Sequence, residues 1–190
     1  VLPVSPNPTT AAITKIRPVS DEQHHETADV HFKTVDQLLF DVQLSYKKMG
    51  IELSSLDEAF EQSKNLGEVK EVEDESRIHR AFIQAFHDGY PTYKKNLGTT
   101  LCVNRIDFEL FVAQESKSCF VDTIDFYFDC DMTRLGVTLV DTPGADSINA
   151  RHTGVAFDYI RNADAILFIT YYNHAFARAD REFLIQLGRI

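Results

Sequence analysis

The sequence predicts an α/β fold built on a parallel sheet, and three observations carry the prediction. Amphipathic segments with capping signals fill the middle of the chain. After Gly98 the hydrophobic period changes from 3.6 residues to 2. From Val137 onward the order is apolar strand, loop, helix, apolar strand, helix, which is how a parallel sheet with crossover helices begins.

The elements follow in chain order. Val1 to Pro8 holds three prolines and no periodicity, an extended loop that leads through Thr9 and Thr10 into a short strand, Ala11 to Ile16. Pro18 to Asp29 is polar and reads as a solvated loop; His24, His25 and Glu26 are adjacent, so they do not face one point as metal ligands would. Thr34 to Met49 puts Val35, Leu38, Leu39, Val42, Tyr46 and Met49 on one helical face, with Thr34 and Gln37 as a capping box and Gly50 as the stop. Ser55 to Leu66 repeats the device with Ser55 and Glu58, and the acidic Glu68 to Glu75 reads as a solvated link. Glu75 to Phe86 has Ile78, Ala81, Phe82, Ala85 and Phe86 at helical spacing, closed by Gly89 and Pro91.

In Ile106 to Ala113, Phe108, Leu110 and Val112 alternate with other residues; in Thr123 to Asp129, Ile124, Phe126 and Phe128 do. Both read as strands with one wet face. Val137 to Val140 and Ala165 to Thr170 are apolar throughout, as central strands covered on both faces would be. Between them a helix turns Val155, Ala156, Tyr159 and Ile160 inward, and after them Asp180 to Leu187 offers Phe183, Leu184 and Leu187.

Length and composition bound the function. At 190 residues, 44% hydrophobic and 25% charged, the chain suffices for one core and not for a second full domain. A net charge of -10 with no basic patch argues against nucleic acid and anionic lipid as direct partners. Apolar runs such as Ala165 to Ile169 are far shorter than the roughly 20 residues that span a bilayer, and the reading is a soluble, cytoplasmic chain. Cys102, Cys119 and Cys130 lack CxxC spacing and read as reduced cysteines packed beside strands. The chain opens without Met and closes on FLIQLGRI inside an unfinished helix, so it reads as an internal piece of a longer protein.

The chemistry concentrates in GVTLVDTPGADSINARHTG, residues 136–154. DxxG alone is a common tetrad, and a tight turn after a strand is its plain reading. In context, Asp141 ends an apolar strand, so its carboxylate emerges at the carboxyl edge of the sheet, where open α/β folds bind ligands. Gly144 lets a bare backbone N–H approach a phosphate oxygen. An acid for Mg2+ and an amide for a terminal phosphate fit nucleoside triphosphate hydrolysis. Upstream, Thr10 lies on a proline-rich loop, where a hydroxyl can ligate Mg2+ when a triphosphate is present and release it afterwards.

The stretch from Phe120 to Ile190, with VLPVSPNPTTAAITKI, resembles the GTPase domain of bacterial dynamin-like proteins, strongly over residues 1–16 and 119–190 and only in general arrangement between them. The resemblance implies a partial P-loop GTPase fold, a dynamin-type G domain whose mixed, mainly parallel sheet carries a helical insertion between switch I and the DxxG strand. One incomplete domain then spans 1–190: switch I loop and strand at 1–17, a mainly helical insertion at 18–98, and strands, switch II and flanking helices at 99–190. It makes Thr10 the catalytic switch I threonine and a Mg2+ ligand. Asp141, Thr142, Pro143 and Gly144 become the nucleotide-binding DxxG, with Asp141 holding Mg2+ through water, and Ala145 to Thr153 the moving part of switch II.

GTP is the implied substrate and Mg2+ the implied cofactor. The implied partners are a second GTPase head, as homodimer or tandem head, and membrane lipid reached through regions outside this chain, with no nucleic acid. The parent would sit peripherally at the inner face of the cell membrane, with switching passed to a helical, coiled-coil stalk outside residues 1–190, for membrane remodelling or fusion.

Two parts of the family's site do not occur in these residues. GxxxxGK[ST], which holds the phosphates, would lie before Val1, and the guanine-reading N/TKxD-type motif would lie after Ile190. The isolated chain is therefore expected neither to bind nor to hydrolyse GTP measurably. A non-catalytic GTPase-like module that dimerises without turnover and a P-loop ATPase remain the alternatives. Arg151 and His152 stand in the switch II segment as a surface arginine or arginine finger, and as a solvent-facing or partner-facing histidine. Tyr171, Tyr172, Asn173 and His174 end a strand at the same predicted edge as Asp141, as core aromatics or as a nucleotide or dimer contact.

Overall fold

The computed structural model describes residues 12–20, 25–65, 74–142, 159–169, 181, 184–185 and 188. Its elements in order are β1 (Ile13–Arg17), β2 (Thr27–Phe32), α1 (Val35–Lys47), α2 (Leu56–Ser63), α3 (Asp74–Tyr93), a 3-10 turn (Lys94–Asn96), β3 (Thr100–Asn104), α4 (Arg105–Ala113), α5 (Glu115–Ser118), β4 (Val121–Tyr127), α6 (Asp131–Arg134) and β5 (Leu139–Asp141). The five strands form one sheet in the order β3-β2-β4-β1-β5. The α/β class and the mixed sheet hold. The expectation of a mainly parallel sheet does not: among the described pairings β1 with β4 is parallel, while β1 with β5, β2 with β3 and β2 with β4 are antiparallel.

The helical middle forms where its caps predict. At α1 the Thr34 hydroxyl accepts from Gln37 N–H and the Gln37 side chain accepts from Thr34 N–H, closing the box. Gly50 ends that turn at φ +74, in the left-handed region open to glycine. At α2 Ser55 caps Glu58 N–H, but the Glu58 carboxylate reaches the N–H and hydroxyl of Ser54 rather than closing on Ser55. Among the predicted core residues of these segments, Leu38, Val42, Tyr46, Phe82, Ala85 and Phe86 are buried. They join Ala28, Val30, Phe32, Ile124 and Phe126 from one face of the sheet.

Four predicted elements change. α3 runs through Gly89 and Pro91 to Tyr93 instead of stopping. Gly89 serves close approach rather than termination, because a Cβ there would overlap the Ser116 carbonyl oxygen and the Phe120 ring. Ile106 to Ala113 is helical, not a strand. Its apolar residues fit both periods, and the Asn104 side chain decides by accepting from Asp107 N–H at 3.0 Å, after which Phe108, Phe111 and Val112 are buried at i, i+3 and i+4. Phe108 then stacks on Phe126 at 4.4 Å between centroids.

Among the described strands, the one predicted from Val137 is not central. It shortens to β5 at the edge of the described sheet, where Leu139 is half-buried and Val140 is 42% exposed. Residues 165–169 form no strand and are exposed; Thr170 lies outside the described residues. A strand exists only through a neighbour's hydrogen bonds, and no described strand lies beside this run. Residues 159–161 are helical with Tyr159 and Ile160 half-buried, and 181 and 184–185 are helical; Val155, Ala156, Phe183 and Leu187 fall outside the described side chains.

Three strands differ from expectation. β2 and β3 arise where the sequence indicated a loop or nothing. In β2, Ala28, Val30 and Phe32 are buried between half-buried Thr27, Asp29 and His31, an alternation hidden by the polar run before it. β4, predicted at Thr123 to Asp129 with one wet face, lies at Val121–Tyr127 in the middle of the sheet, and Thr123 and Asp125 on its polar side are buried. Cys119 is buried, Cys130 half-buried and Cys102 exposed, all three as free thiols.

Candidate functional site

The strand that leads away from Thr10 and the strand that ends in Asp141 are neighbours. β1 and β5 pair antiparallel with Thr14 opposite Asp141, Lys15 opposite Val140 and Ile16 opposite Leu139. The amino end of β1 and the carboxyl end of β5 therefore share one edge of the sheet. Thr10 lies four residues before Thr14, so the chain holds it within about 14 Å of that position, at roughly 3.3–3.6 Å per residue. Thr14 is fully buried and its hydroxyl donates to Ala12 O at 3.4 Å. Asp141 is half-buried and Thr142 follows it off the strand. Thr10, Pro143, Gly144, Ala145 to Thr153 with Arg151 and His152, and Tyr171 to His174 lie outside the described residues.

Behind this edge the sheet carries a row of charge that sequence reasoning missed. Asp125 of β4 is 8% exposed and accepts from or faces three basic groups: His31 Nε2 at 3.0 Å from Oδ2, and Arg17 Nε at 3.3 Å and Lys15 Nζ at 3.9 Å from Oδ1. The other nitrogen of His31 lies 3.0 Å from the Thr100 hydroxyl, so the row crosses β3, β2, β4 and β1. Lys15 also lies 5.1 Å over the Tyr159 ring. The signal was present as Lys15 and Arg17 alternating along β1 and Asp125 on the polar side of β4. Each alone reads as solvated; the register brings Lys15 directly opposite Asp125.

Next to that row, the Tyr127 hydroxyl donates to Asp29 Oδ2 at 3.0 Å. Burial, then the Asp29 carboxylate, push the phenol up to about 12. Burial and the same carboxylate also raise Cys102. These shifts favour the neutral forms, so this face holds its tyrosine and cysteine as donors.

A half-buried carboxylate at a sheet edge is a hard oxygen donor that suits Mg2+ through an intervening water. Asp141 alone is one ligand: among the described residues no group of three His, Cys, Asp or Glu stands close enough to hold a metal. The described part of the site thus fits the metal as a contributor and not as a cage. Among the described residues no helix is long and apolar enough to cross a membrane.

Comparison with known proteins bears on what this arrangement belongs to. The chain is 37% identical over 193 residues to "Dynamin-like protein A" of Bacillus subtilis (strain 168), covering 100% of this chain and 16% of that protein. It is 30% identical over 74 residues to an "Uncharacterized protein in xynA 3'region" of Caldicellulosiruptor sp. (strain Rt8B.4), covering 39% of this chain and 18% of that protein. Two solved chains, described as an oligomerised bacterial dynamin pair that provides a mechanism for long-range sensing and tethering of membranes, share the fold. The first has a TM-score of 0.59 at 15% identity over 98% of this chain and 22% of its own. The second has a TM-score of 0.52 at 15% identity over 93% and 20%. The chain thus spans about a sixth to a fifth of the length of these relatives. Residues 1–189 match the family described as "Dynamin family", and with the DxxG strand paired to the strand that follows Thr10, the chain belongs to the dynamin family.

Proposed function

We propose that this chain is the switch-bearing portion of a dynamin-type GTPase domain, with residues 1–17 as switch I and its strand, 18–98 as the insertion and 99–190 as the switch II half. The observation that supports the reading is the register of Thr14 opposite Asp141, which brings the amino end of β1 beside the carboxyl end of β5. The parent reaction is in-line attack of water on the γ-phosphate of GTP, where rate comes from positioning and charge neutralisation. Bound Mg2+ supplies the neutralising charge on the phosphate oxygens. Thr10 would contribute its hydroxyl to the metal and its carbonyl to the attacking water. Asp141 would hold the metal through a water, Thr142 and Pro143 would belong to the nucleotide-binding DxxG, and the Gly144 amide would sense the γ-phosphate.

Release of these contacts on hydrolysis frees both loops. The pairing and membrane tethering described for the solved dynamin pair support a second head as partner and a peripheral place at the inner face of the cell membrane, reached through regions outside residues 1–190. The isolated 190 residues, without GxxxxGK[ST], neither bind nor turn over GTP; micromolar affinity in a titration would overturn that part.

The test of the function is GTP and ATP turnover by the intact protein with and without Mg2+, beside Asp141→Ala and Thr10→Ala. Mg2+-dependent GTP turnover lost in both variants supports the reading. Faster ATP turnover makes it an ATPase, and no turnover of either makes it an interaction module.

A further inference from the structure

β3 closes one end of the sheet, and its outer edge lacks the usual protection. The strand reads Thr100-Leu101-Cys102-Val103-Asn104, with no proline and no charge, and four of its five residues are exposed. Natural edge strands normally carry lysine, proline or a bulge that blocks pairing with another chain. Phe32 N–H donates to Thr99 O at 2.9 Å, so by antiparallel alternation Val30–Leu101 and Ala28–Val103 are the hydrogen-bonded pairs with β2. The backbone N–H groups of Thr100, Cys102 and Asn104 consequently face outward, and among the described residues no strand meets them.

The geometry points to this edge as a pairing surface for β3 of a second copy of the chain, antiparallel about a two-fold axis at Cys102. That register sets Cys102 against Cys102 of the copy and Thr100 against Asn104, so all three outward positions meet their counterparts. Leu101, 38% exposed, gains Val103 of the copy beside it on the apolar side. Charge agrees with this direction. Exposed Lys94 and Lys95 precede β3; after it Arg105 is ion-paired to both Glu26 and Glu109 and Asp107 is exposed, so antiparallel pairing brings the basic end of one copy to a net acidic end of the other. The contact uses no nucleotide group and stands independently of the GTPase reading.

The experiment is light scattering on the nucleotide-free intact protein over a range of concentration, with mild oxidation and peptide mapping of any cross-link. A dimer cross-linked Cys102 to Cys102 is expected, since directly paired Cα atoms about 5.5 Å apart lie within disulfide reach. Cys102→Lys sets two lysines face to face across the axis while giving Asp29, its partner in β2, an opposite charge within the chain. It should weaken the dimer about tenfold or more with no loss of thermal stability, and Cys102→Ser should leave it intact. Cys102→Pro, which removes an outward N–H together with the thiol that faces Asp29, is tolerated at an edge strand and should weaken the dimer as well. A monomeric wild type, a dimer without the Cys102 cross-link, or a Cys102→Lys dimer of unchanged affinity overturns the proposal.

Discussion

Thr14 of β1 lies directly opposite Asp141 of β5, and this antiparallel pairing joins the strand that follows Thr10 in the chain to the strand that precedes Gly144. β5 meets the described sheet only through β1, so the two strands hold each other at that end of the described sheet.

From that pairing, Asp141→Ala and Thr10→Ala in the intact protein should each lower GTP turnover about a hundredfold or more, the scale seen when one preorganised charge-stabilising group is removed. Asp141 is half-buried at the end of β5, so the melting temperature of Asp141→Ala should stay near that of the parent. Steady-state turnover alongside calorimetry checks the two halves, and unaltered turnover in Asp141→Ala would remove Asp141 from the site.

A buried ion pair holds α1 to the sheet. Lys33 Nζ lies 2.8 Å from Asp41 Oδ2 and donates to Cys119 O at 2.7 Å, with both side chains at most 3% exposed. Asp41→Asn removes the carboxylate charge beside the buried ammonium and should cost about 3–5 kcal/mol, whereas the paired change Lys33→Met with Asp41→Leu should recover most of it. Urea unfolding of the three proteins distinguishes them; equal losses in single and double variants would contradict the pairing argument.

Gly89→Ala sets two effects against each other. Alanine gains about 1 kcal/mol of helix propensity over glycine. Its Cβ would overlap the Ser116 carbonyl and the Phe120 ring, and relieving such overpacking costs about 1–3 kcal/mol or more, so destabilisation should win. A raised melting temperature would show that α3 and α5 separate without penalty.

Alkali should unfold the protein through its tyrosines. Burial raises Tyr46 and Tyr90 to about 12, the latter also through its hydrogen bond to Asp57, and Tyr127 is likewise at about 12. In the unfolded chain phenols ionise near 10, so between these values the folded state holds protons that the unfolded state has lost. The stability they contribute is fully present below pH 10 and falls as pH rises through 12. Phenolate absorbance at these positions should therefore appear together with loss of ellipticity. Their titration near pH 10 in a still folded protein would refute the assignment.

How much was legible in the sequence follows from the range of the forces involved. The α1 box of Thr34 and Gln37 and the Gly50 stop are set by neighbours within four residues, and local chemistry suffices to read them. The α/β class follows from the same local periods, and family membership from the DxxG and Thr9-Thr10 segments. Tertiary contacts decided the rest. Ile106 to Ala113 fits either period, and only the Asn104 cap and the packing of Phe108 on Phe126 select the helix. Gly89 reads as a stop until α5 is packed against it. Asp125 reads as solvated until β1 and β2 bring Lys15, Arg17 and His31 to it from far along the chain. Strand order is likewise beyond local reading, because every ladder hydrogen bond belongs to two segments at once. What the sequence determined by itself is which residues can serve as caps, turns and switch chemistry; which strand stands beside which, and so whether Thr14 faces Asp141, exists only once distant segments share a sheet.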